Sequence, residues 1–261
     1  MAIIIFGSNG MLGKYVCKVL NKDAMIQPVT RKIVDLTDIS ATEEYIQKGV
    51  YPKDIIVNCA GVIPQRSNNT EDMVKVNTLF PLMLNKLPNQ VIHISTDCVF
   101  SGKQMELRSE LWDPDATSIY GTTKALGEPV DQTVIRTSII GEGGGLLQWV
   151  LDNQFEKIKG YHHHFWNGIT CLQLATIIKR IIDENLYWTG VRHIHSTDMA
   201  SKFILLKYIE DIYDLCLEME CICPENIIPT YRILESIFDG IDWKIPSIPE
   251  QIKEQREWHE I

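Results

Sequence analysis

The 261-residue sequence contains no apolar run that approaches the ~20 residues needed to cross a lipid bilayer. Its first apolar stretch, AIIIF, follows neither a charged leader nor a small-residue cleavage site, so we expect no signal peptide. Basic residues are also scarce, because 25 Lys and Arg stand against 34 Asp and Glu, and no basic stripe is present. These absences argue against a membrane or nucleic-acid partner and predict a cytoplasmic protein.

Cysteine is sparse as well, with seven residues spread along the chain. An odd number without a secretory leader predicts reduced thiols and no disulfide framework. Cys221 and Cys223 are too close together for a normal zinc-binding pair, and no second pair follows them. We therefore predict no metal site.

The first half of the chain alternates short β-branched runs with longer amphipathic stretches. The pattern predicts strands at 2–6, 26–30, 54–58, 90–96 and 134–137, and helices at 11–20, 41–47, 70–87 and 118–128. Continuous apolar strands indicate burial on both faces of a sheet. This alternation predicts an α/β fold, a Rossmann-type doubly wound parallel sheet with right-handed crossovers.

The pattern changes after residue 140, where GEGGG interrupts the chain. Beyond it we expect an amphipathic stretch to Lys159 and then a loop with three histidines. Helices at 172–185 and 201–218 and a mostly irregular tail at 224–249 should follow. We predict a dinucleotide-binding Rossmann domain over 1–140. A smaller substrate-binding lobe over 141–261 would be partly interleaved with the sheet.

The segment FGSNGMLGKY follows the first strand and opens the first helix. In the G-x-x-G-x-x-G spacing, Gly7 would make the tight turn and Gly10 would let the backbone approach a pyrophosphate. Gly13 would allow close packing of helix and strand. The strand–turn–helix context predicts dinucleotide binding at the helix N-terminus.

The end of the second strand carries Arg31 and no acidic residue. An acid there would accept from a ribose 2′-hydroxyl, whereas an arginine would meet a 2′-phosphate. The sequence therefore favours NADPH over NADH, with NADH as the alternative. Asp35 is expected near the adenine.

Tyr120 and Lys124 form a Y-x-x-x-K pair on a predicted helix. Residues i and i+4 share a helix face, so the phenol and the ammonium can point into one cleft. A nearby cation lowers the pKa of a phenol, which would help Tyr120 to deliver a proton near neutral pH.

Six segments of the chain, in order, resemble the extended short-chain dehydrogenase/reductase family. They are Gly7-x-x-Gly10-x-x-Gly13, NCAG (58–61), VNTLFP (76–81), STDCVFSG (95–102), YGTTKALGE (120–128) and IRTSIIG (135–141). Within that family, STD-VF-G and RTS are similar to the dTDP-4-dehydrorhamnose reductases.

The resemblance implies a catalytic set of Thr96, Tyr120 and Lys124. Thr96 and Tyr120 would hold the C4 carbonyl oxygen of a sugar, and Lys124 would also bind the nicotinamide ribose. Asn77 would support the active-site strand or a water relay. The cofactor contacts expected in all are Gly7, Asn9, Gly10, Met11, Leu12, Gly13, Arg31, Asp35, Cys59, Ala60, Gly61, Tyr120 and Lys124.

Cys98 departs from the reductase pattern, which has tyrosine at this position. Cysteine stands there in GDP-fucose synthase and in the plant-type bifunctional UDP-4-keto-6-deoxyglucose 3,5-epimerase/4-reductase (UDP-L-rhamnose synthase), where a thiol similar in position removes protons beside the C4 ketone. Residues two apart share one side of a strand, and a thiolate tuned by nearby cations is a suitable base. The expected substrate contacts are Thr96, Asp97, Cys98 and Arg136.

Epimerisation also needs a proton donor on the opposite face of the sugar ring. In related bifunctional enzymes a histidine or lysine lies some 40 residues after the catalytic tyrosine. The candidates here are Lys157, Lys159, His162, His163 and His164. The spacing favours His163.

The residues and the resemblance together predict NADPH-dependent 3,5-epimerisation and 4-keto reduction of a nucleotide-linked 4-keto-6-deoxyhexose. UDP-4-keto-6-deoxy-D-glucose is the expected substrate and a nucleotide-L-rhamnose the product. Two alternatives stay open: a reductase without epimerase activity, and a non-catalytic regulatory subunit similar to the methionine adenosyltransferase β subunit. The nucleotide base is open, and a homodimer is possible.

Overall fold

The computed structural model describes residues 1–22, 24–224 and 229–260. The strands in chain order are β1 (Ile3–Phe6), β2 (Ile26–Val29), β3 (Ile55–Asn58), β4 (Gln90–Ile94), β5 (Thr133–Arg136), β6 (Ile139–Ile140), β7 (Lys157–Tyr161), β8 (His164–Trp166), β9 (Ile169–Thr170), β10 (Gly190–His193), β11 (Ala200–Ser201), β12 (Glu218–Ile222) and β13 (Thr230–Arg232).

The helices in chain order are α1 (Met11–Leu20), α2 (Ile39–Gly49), α3 (Thr70–Met73), α4 (Phe80–Leu84), α5 (Ile119–Leu126), α6 (Gly145–Asp152), α7 (Cys171–Asp183), α8 (Lys202–Ile212) and α9 (Ile248–Glu260). A π-helical segment, Val74–Leu79, joins α3 to α4. Within the described ranges, none of the helices has the length and apolar character to cross a membrane.

The central sheet has six parallel strands in the order β10-β5-β4-β3-β1-β2. From β1 the chain first moves outward to β2, then returns to β3 on the other side of β1. This reversal opens a crevice at the carboxyl ends of β1 and β3, which is where doubly wound folds bind ligands. The predicted α/β fold with a parallel sheet is confirmed.

Both faces of the sheet are buried, as the continuous apolar strands indicate. Ile3, Ile5, Ile55, Val57, Ile92 and Ile94 pack with α1 and α7 on one face. Ile4, Phe6, Ile56 and Val91 pack with Ile46, Phe80 and Leu84 on the other. Because successive strand residues point to opposite faces, each strand contributes to two cores.

The second half of the chain builds small sheets and also returns to the central one. Strand β6 pairs with β9, β7 with β12, and β8 with both β11 and β13. Helix α7 packs on α1, and β10 lies beside β5 at the sheet edge. The domain division at residue 140 stays a prediction, and α7 and β10 belong spatially with the first half.

Two local predictions in the second half are wrong. The amphipathic stretch expected to run to Lys159 ends as α6 at Asp152, and residues 157–161 pair as a strand. The helix expected over 201–218 ends as α8 at Ile212, and Glu218 begins β12. The tail expected to be mostly irregular is so in its described part, apart from β13 and the first turn of α9, which accommodates Pro249. Residues 225–228 of that tail lie outside the described residues.

Candidate active site

The loop between β1 and α1 leaves room for backbone only. Gly7 has a φ of 74°, in the left-handed region that favours glycine, and a methyl group there would lie 2.7 Å from the amide nitrogen of Ala60. A methyl group on Gly13 would lie 2.2 Å from the carbonyl oxygen of Gly7. Gly10 is the N-cap of α1 and supplies no side-chain cap, so the first N–H groups of the helix remain available to an anion. The loop fits a dinucleotide pyrophosphate.

A cleft lies between this loop, the end of β2 and the segment after β3, and we call it the cofactor cleft. The residues predicted to bind cofactor that line it are Gly7, Asn9, Gly10, Arg31, Asp35, Cys59, Ala60 and Gly61. Its walls also include Val34, Leu36, Thr37, Val62 and Ser67, for which the sequence carries no motif. Met11, Leu12 and Gly13 open α1 beneath the loop, and the buried side chain of Leu12 faces the core, so only its backbone can reach a cofactor.

Arg31 and Asp35 form an ion pair at the rim of the cofactor cleft. Arg31 Nη2 lies 2.9 Å from Asp35 Oδ2, and the two side chains are 74% and 40% exposed. Burial acts to raise the pKa of Asp35, but hydrogen bonds from Thr37 and Arg31 outweigh it and hold the pKa below its usual value. An exposed pair of this kind is weak, so the guanidinium can exchange Asp35 for another anion.

Three buried polar side chains, those of Asn58, His93 and Lys124 of α5, lie in a row. Asn58 Nδ2 lies 3.0 Å from His93 Nδ1, and His93 Nε2 lies 3.5 Å from Lys124 Nζ. Lys124 Nζ also donates a hydrogen bond to the carbonyl oxygen of Ile94 at 2.7 Å. Burial lowers the pKa of Lys124 to about 8, and burial together with the charge of Lys124 holds the pKa of His93 well below its usual value.

Thr96 and Tyr120 meet where β4 ends. The two side chains interact, since Thr96 acts to lower the pKa of Tyr120, and Thr96 Oγ1 donates to Asp97 Oδ1 at 3.1 Å. Thr96 is the N-cap of a 3₁₀ turn, Asp97–Val99, and its oxygen accepts from the N–H of Cys98. The strand has already ended at Ile94, so this turn, and not strand alternation, sets how Thr96 and Cys98 are placed.

The phenol of Tyr120 is not acidified in this arrangement. Burial raises its pKa above the usual value, the neighbouring Cys98 adds to the effect, and the cation that opposes it is Arg232. Among the described residues no hydrogen bond joins Tyr120 to Lys124, whose ammonium instead donates to a backbone carbonyl. The prediction that Lys124 lowers the pKa of Tyr120 is therefore wrong here.

Cys98 contacts Arg232, which reaches the site from β13. Arg232 Nη1 lies 2.9 Å from Cys98 Sγ. Burial, reinforced by the charge of Asp97, raises the pKa of Cys98 to about 12, and Arg232 offsets only part of this rise. Burial also raises the pKa of Asp97, despite the opposing charge of Arg232. A raised pKa disfavours the expected thiolate at neutral pH, and the role of Cys98 as a base stays a prediction.

Basic side chains from the second half of the chain gather beside Cys98, and we call Arg232, Lys202 and His164 the basic cluster. Burial, followed by the charge of Arg232, lowers the pKa of Lys202, and burial followed by Lys202 lowers that of His164 to about 4. Arg232 Nε is buried without a hydrogen-bond partner in the described part of the chain. Two neighbouring cations, Lys202 and Arg232, and a free N–H donor are suited to an anionic ligand.

His163, the predicted proton donor, lies in the turn between β7 and β8. Its ring packs edge-on against Tyr161 and His164, and its carbonyl accepts a hydrogen bond from the N–H of Thr230. The neighbouring His164 is the histidine that interacts electrostatically with Lys202 and Arg232. The role of His163 stays a prediction.

Arg136 is buried with Glu128 in a two-pronged ion pair. Its Nε and Nη2 donate to the two carboxylate oxygens at 2.7 and 2.6 Å, and Nη1 lies 3.4 Å from His193 Nε2. All three guanidinium nitrogens are occupied, and the side chain is 6% exposed. We therefore propose a structural role for Arg136 in place of the predicted contact with substrate.

Asn77 ties the cofactor cleft to the catalytic helix. It lies in the π-helical segment, where its Oδ1 accepts from the N–H of Val62 at 2.8 Å and its Nδ2 donates to the carbonyl of Val62 at 2.9 Å. Nδ2 also lies 3.3 Å from Thr123 Oγ1 on α5. The expected supporting role fits these contacts, and π-helical turns are frequent at functional sites.

Comparisons with known proteins identify the family of the chain and its fold. The family model described as RmlD substrate binding domain matches residues 1–211. The spore coat polysaccharide biosynthesis protein SpsK of Bacillus subtilis is 30% identical over 156 residues, which cover 54% of this chain and 54% of SpsK. The chain thus aligns with about half the length of this curated relative.

Two solved structures share the fold over their whole length. A dTDP-4-dehydrorhamnose reductase from Bacillus anthracis, in complex with NADP, has a TM-score of 0.85 at 23% identity and covers 98% of this chain and 99% of its own. A dTDP-4-dehydrorhamnose reductase from Clostridium acetobutylicum has a TM-score of 0.84 at 20% identity, with all of both chains covered. At these identities the likeness establishes the architecture.

Proposed function

The chain belongs to the RmlD substrate binding domain family, and on this premise we propose that it is an NADPH-dependent reductase of a nucleotide-linked 4-keto-6-deoxyhexose. The observation that carries the proposal is that Thr96 and Tyr120 come together at the carboxyl end of β4. Lys124 lies behind the pair and interacts electrostatically with Cys59, which lines the cofactor cleft. A ketone bound by the two hydroxyls would lie beside the cofactor.

NADPH, held by the glycine loop and Arg31, would supply a hydride to C4 of the sugar. Thr96 and Tyr120 hold the carbonyl oxygen, and their hydrogen bonds strengthen as negative charge develops on it. Because its pKa is raised, Tyr120 keeps its proton in the free enzyme and can donate it to the developing alkoxide. The phenol thus acts as a general acid.

NADPH is favoured over NADH by Arg31. Its guanidinium lies at the rim of the cofactor cleft, exposed and only weakly paired with Asp35. A 2′-phosphate offers a stronger partner than the exposed carboxylate, because charge-assisted bonds to arginine can be bidentate. NADH remains the alternative cofactor.

The nucleotide diphosphate of the substrate would bind at the basic cluster. Lys202 and Arg232 interact electrostatically with Cys98 and Asp97, so they would lie beside a sugar bound at Thr96 and Tyr120. The overall charge of −9 repels anions. A local concentration of cations is therefore needed to attract one.

The bifunctional epimerase/reductase is the second candidate. Cys98 favours it, since its thiol lies next to Tyr120, where it could reach carbons beside the ketone. Its pKa of about 12 counts against it, because a thiol must lose its proton before it can act as a base. The reductase without epimerase activity therefore fits the geometry better, and the UDP group stays a proposal alongside dTDP.

Turnover assays with defined substrates test the proposal. The protein is given NADPH and either the dTDP- or the UDP-linked 4-keto-6-deoxyglucose, or the corresponding 4-keto-rhamnose made by a separate epimerase, and products are identified by NMR. We expect reduction of the 4-keto-rhamnose nucleotide, and a loss of at least about 100-fold in Tyr120→Phe. Rhamnose formed from the 4-keto-6-deoxyglucose nucleotide alone would establish the bifunctional reading. No NADPH oxidation with any of them would contradict the proposal and favour a regulatory subunit.

A further inference from the structure

The amide of Asn58 has a single orientation in the structure. Its Oδ1 accepts a hydrogen bond from the backbone N–H of Ala60 at 3.0 Å. A backbone N–H can only donate, so the oxygen must face Ala60 and the NH₂ group must face His93. The Nδ2 nitrogen lies 3.0 Å from His93 Nδ1.

This orientation sets the tautomer of His93. Nδ1 accepts from the Asn58 amide, so it carries no proton. The ring is fully buried and uncharged, so its one N–H must be on Nε2. That nitrogen lies 3.5 Å from Lys124 Nζ.

The pair of Nε2 and Nζ is therefore mismatched when Lys124 is an ammonium. An ammonium has donors only, and the imidazole also presents a donor. A neutral amine has a lone pair that can accept from Nε2–H. The remaining contact of Nζ, to the carbonyl of Ile94 at 2.7 Å, is served by either form of the lysine.

We propose that His93, oriented by Asn58, is a positioning residue that favours release of the proton of Lys124 to the active site. The inference rests on the proposed reductase function. After Tyr120 has given its proton to the sugar oxygen, Lys124 releases a proton that, carried by water, restores the phenol. The amine that remains accepts from His93 until solvent protonates it again.

Two other groups near Lys124 raise its pKa and so oppose the proposed effect of His93. Glu128, just beyond α5, and Cys59, after β3, both favour the charged lysine electrostatically. Glu128 already holds Arg136 in an ion pair, so its charge is largely compensated. Burial outweighs these two groups, and the imidazole N–H would act in the same direction as burial.

The tautomer can be measured without turnover. Full-length protein labelled with ¹⁵N-histidine gives a long-range ¹H–¹⁵N spectrum, in which the signals of His93 are assigned by their loss in His93→Phe. We expect protonated Nε2 and bare Nδ1. An Nδ1–H tautomer in the folded wild-type protein overturns the inference, whatever the enzyme does.

The kinetic test uses a variant in which His93 should adopt the other tautomer. In Asn58→Asp the carboxylate accepts from Nδ1–H, which leaves a lone pair on Nε2 facing Lys124 and stabilises the ammonium. In the pH profile of kcat for ketone reduction, the pH at which kcat falls on the alkaline side should rise by about one unit or more. The double variant Asn58→Asp, His93→Phe keeps the new charge without the imidazole, and we expect it to show a smaller displacement.

The outcomes separate this inference from the proposed function. If no ketone is reduced at any pH, the proposed function fails while the spectrum still reports the tautomer. Two results with an active enzyme would make His93 a packing residue only. In one, the alkaline fall of kcat stays at the same pH in Asn58→Asp. In the other, it is displaced equally in Asn58→Asp and in the double variant. His195→Gln is the matched control, because it alters a half-buried histidine whose hydrogen-bond contacts are Asn167 and Ser196.

Discussion

Arg232 Nη1 lies 2.9 Å from the sulfur of Cys98 and joins strand β13 to the end of β4. The two residues are 134 positions apart in the chain. The sulfur accepts this hydrogen bond while burial keeps it protonated. Cys98 thus fits the role of a hydrogen-bond acceptor that holds the guanidinium better than it fits the role of a base.

Substitution of Cys98 by serine should leave ketone reduction almost intact. The serine hydroxyl can accept from Arg232 in place of the sulfur, so we expect kcat/KM within about threefold of wild type. When the wild type and Cys98→Ser turn over substrate in heavy water, NMR of the products should show no deuterium at C3 or C5 of the sugar. Labelling by the wild type that is lost in Cys98→Ser would instead assign an epimerase base to the thiol.

Removal of the Arg31 side chain should change the cofactor preference. If the guanidinium binds the 2′-phosphate, Arg31→Ala should raise the Kd for NADPH by about 10- to 100-fold, the value for a lost charged hydrogen bond. The Kd for NADH should change by less than about twofold. Cofactor fluorescence titration measures both. Lys48→Ala, which breaks an exposed ion pair on α2, is the matched control, and equal losses for both cofactors would contradict the assignment.

The buried His193 should make the fold sensitive to mild acid. Burial lowers its pKa to about 4, against about 6.5 in an unfolded chain. Below pH 6.5 the unfolded chain therefore binds the proton more readily, so stability falls as the pH drops toward 4. His193 alone accounts for about 3 kcal/mol of this loss, and His93 adds to it in the same direction.

Urea denaturation at a series of pH values measures this effect. The free energy of unfolding of His193→Gln should depend less steeply on pH between 6.5 and 4 than that of the wild type. His162→Gln changes an exposed histidine and should leave the slope as it is. An unchanged slope in His193→Gln would show that the residue is not held neutral.

The homodimer stays a prediction, and exposed apolar side chains suggest where to test it. Leu79 and Leu82, near α4, and Ile119 and Leu126, on α5, are between 37% and 64% exposed. Light scattering after size-exclusion chromatography should give a dimer mass for the wild type and a monomer mass for Leu126→Glu. Phe155→Glu alters an apolar side chain that is 93% exposed elsewhere and should not change the mass. A monomeric wild type would rule out the interface.

Local patterns were enough to locate the glycine loop and the parallel strands. The spacing of Gly7, Gly10 and Gly13 and the runs of β-branched residues act over short distances, so they can be recognised in one sequence. The expected range of α1, residues 11–20, is the observed one. Helix 70–87 was expected as continuous, but its π-helical turn at Asn77 leaves no mark in the apolar periodicity.

The partners of the catalytic residues could not be predicted in the same way. Arg232 and Lys202 lie more than 100 residues beyond Cys98, in segments without a motif. His93 occurs in an apolar strand, where the sequence indicates only a core position. The pKa directions of Tyr120 and Cys98 depend on burial, which spacing along the chain does not report.

The return of α7 and β10 to the central sheet has a consequence for any attempt to divide the protein. A fragment that ended at residue 140 would lack the strand beside β5 and the helix that covers α1. It would present a bare sheet edge and an uncovered apolar flank, both of which promote aggregation. Unfolding should accordingly be a single cooperative event, with the two halves of the sequence lost together.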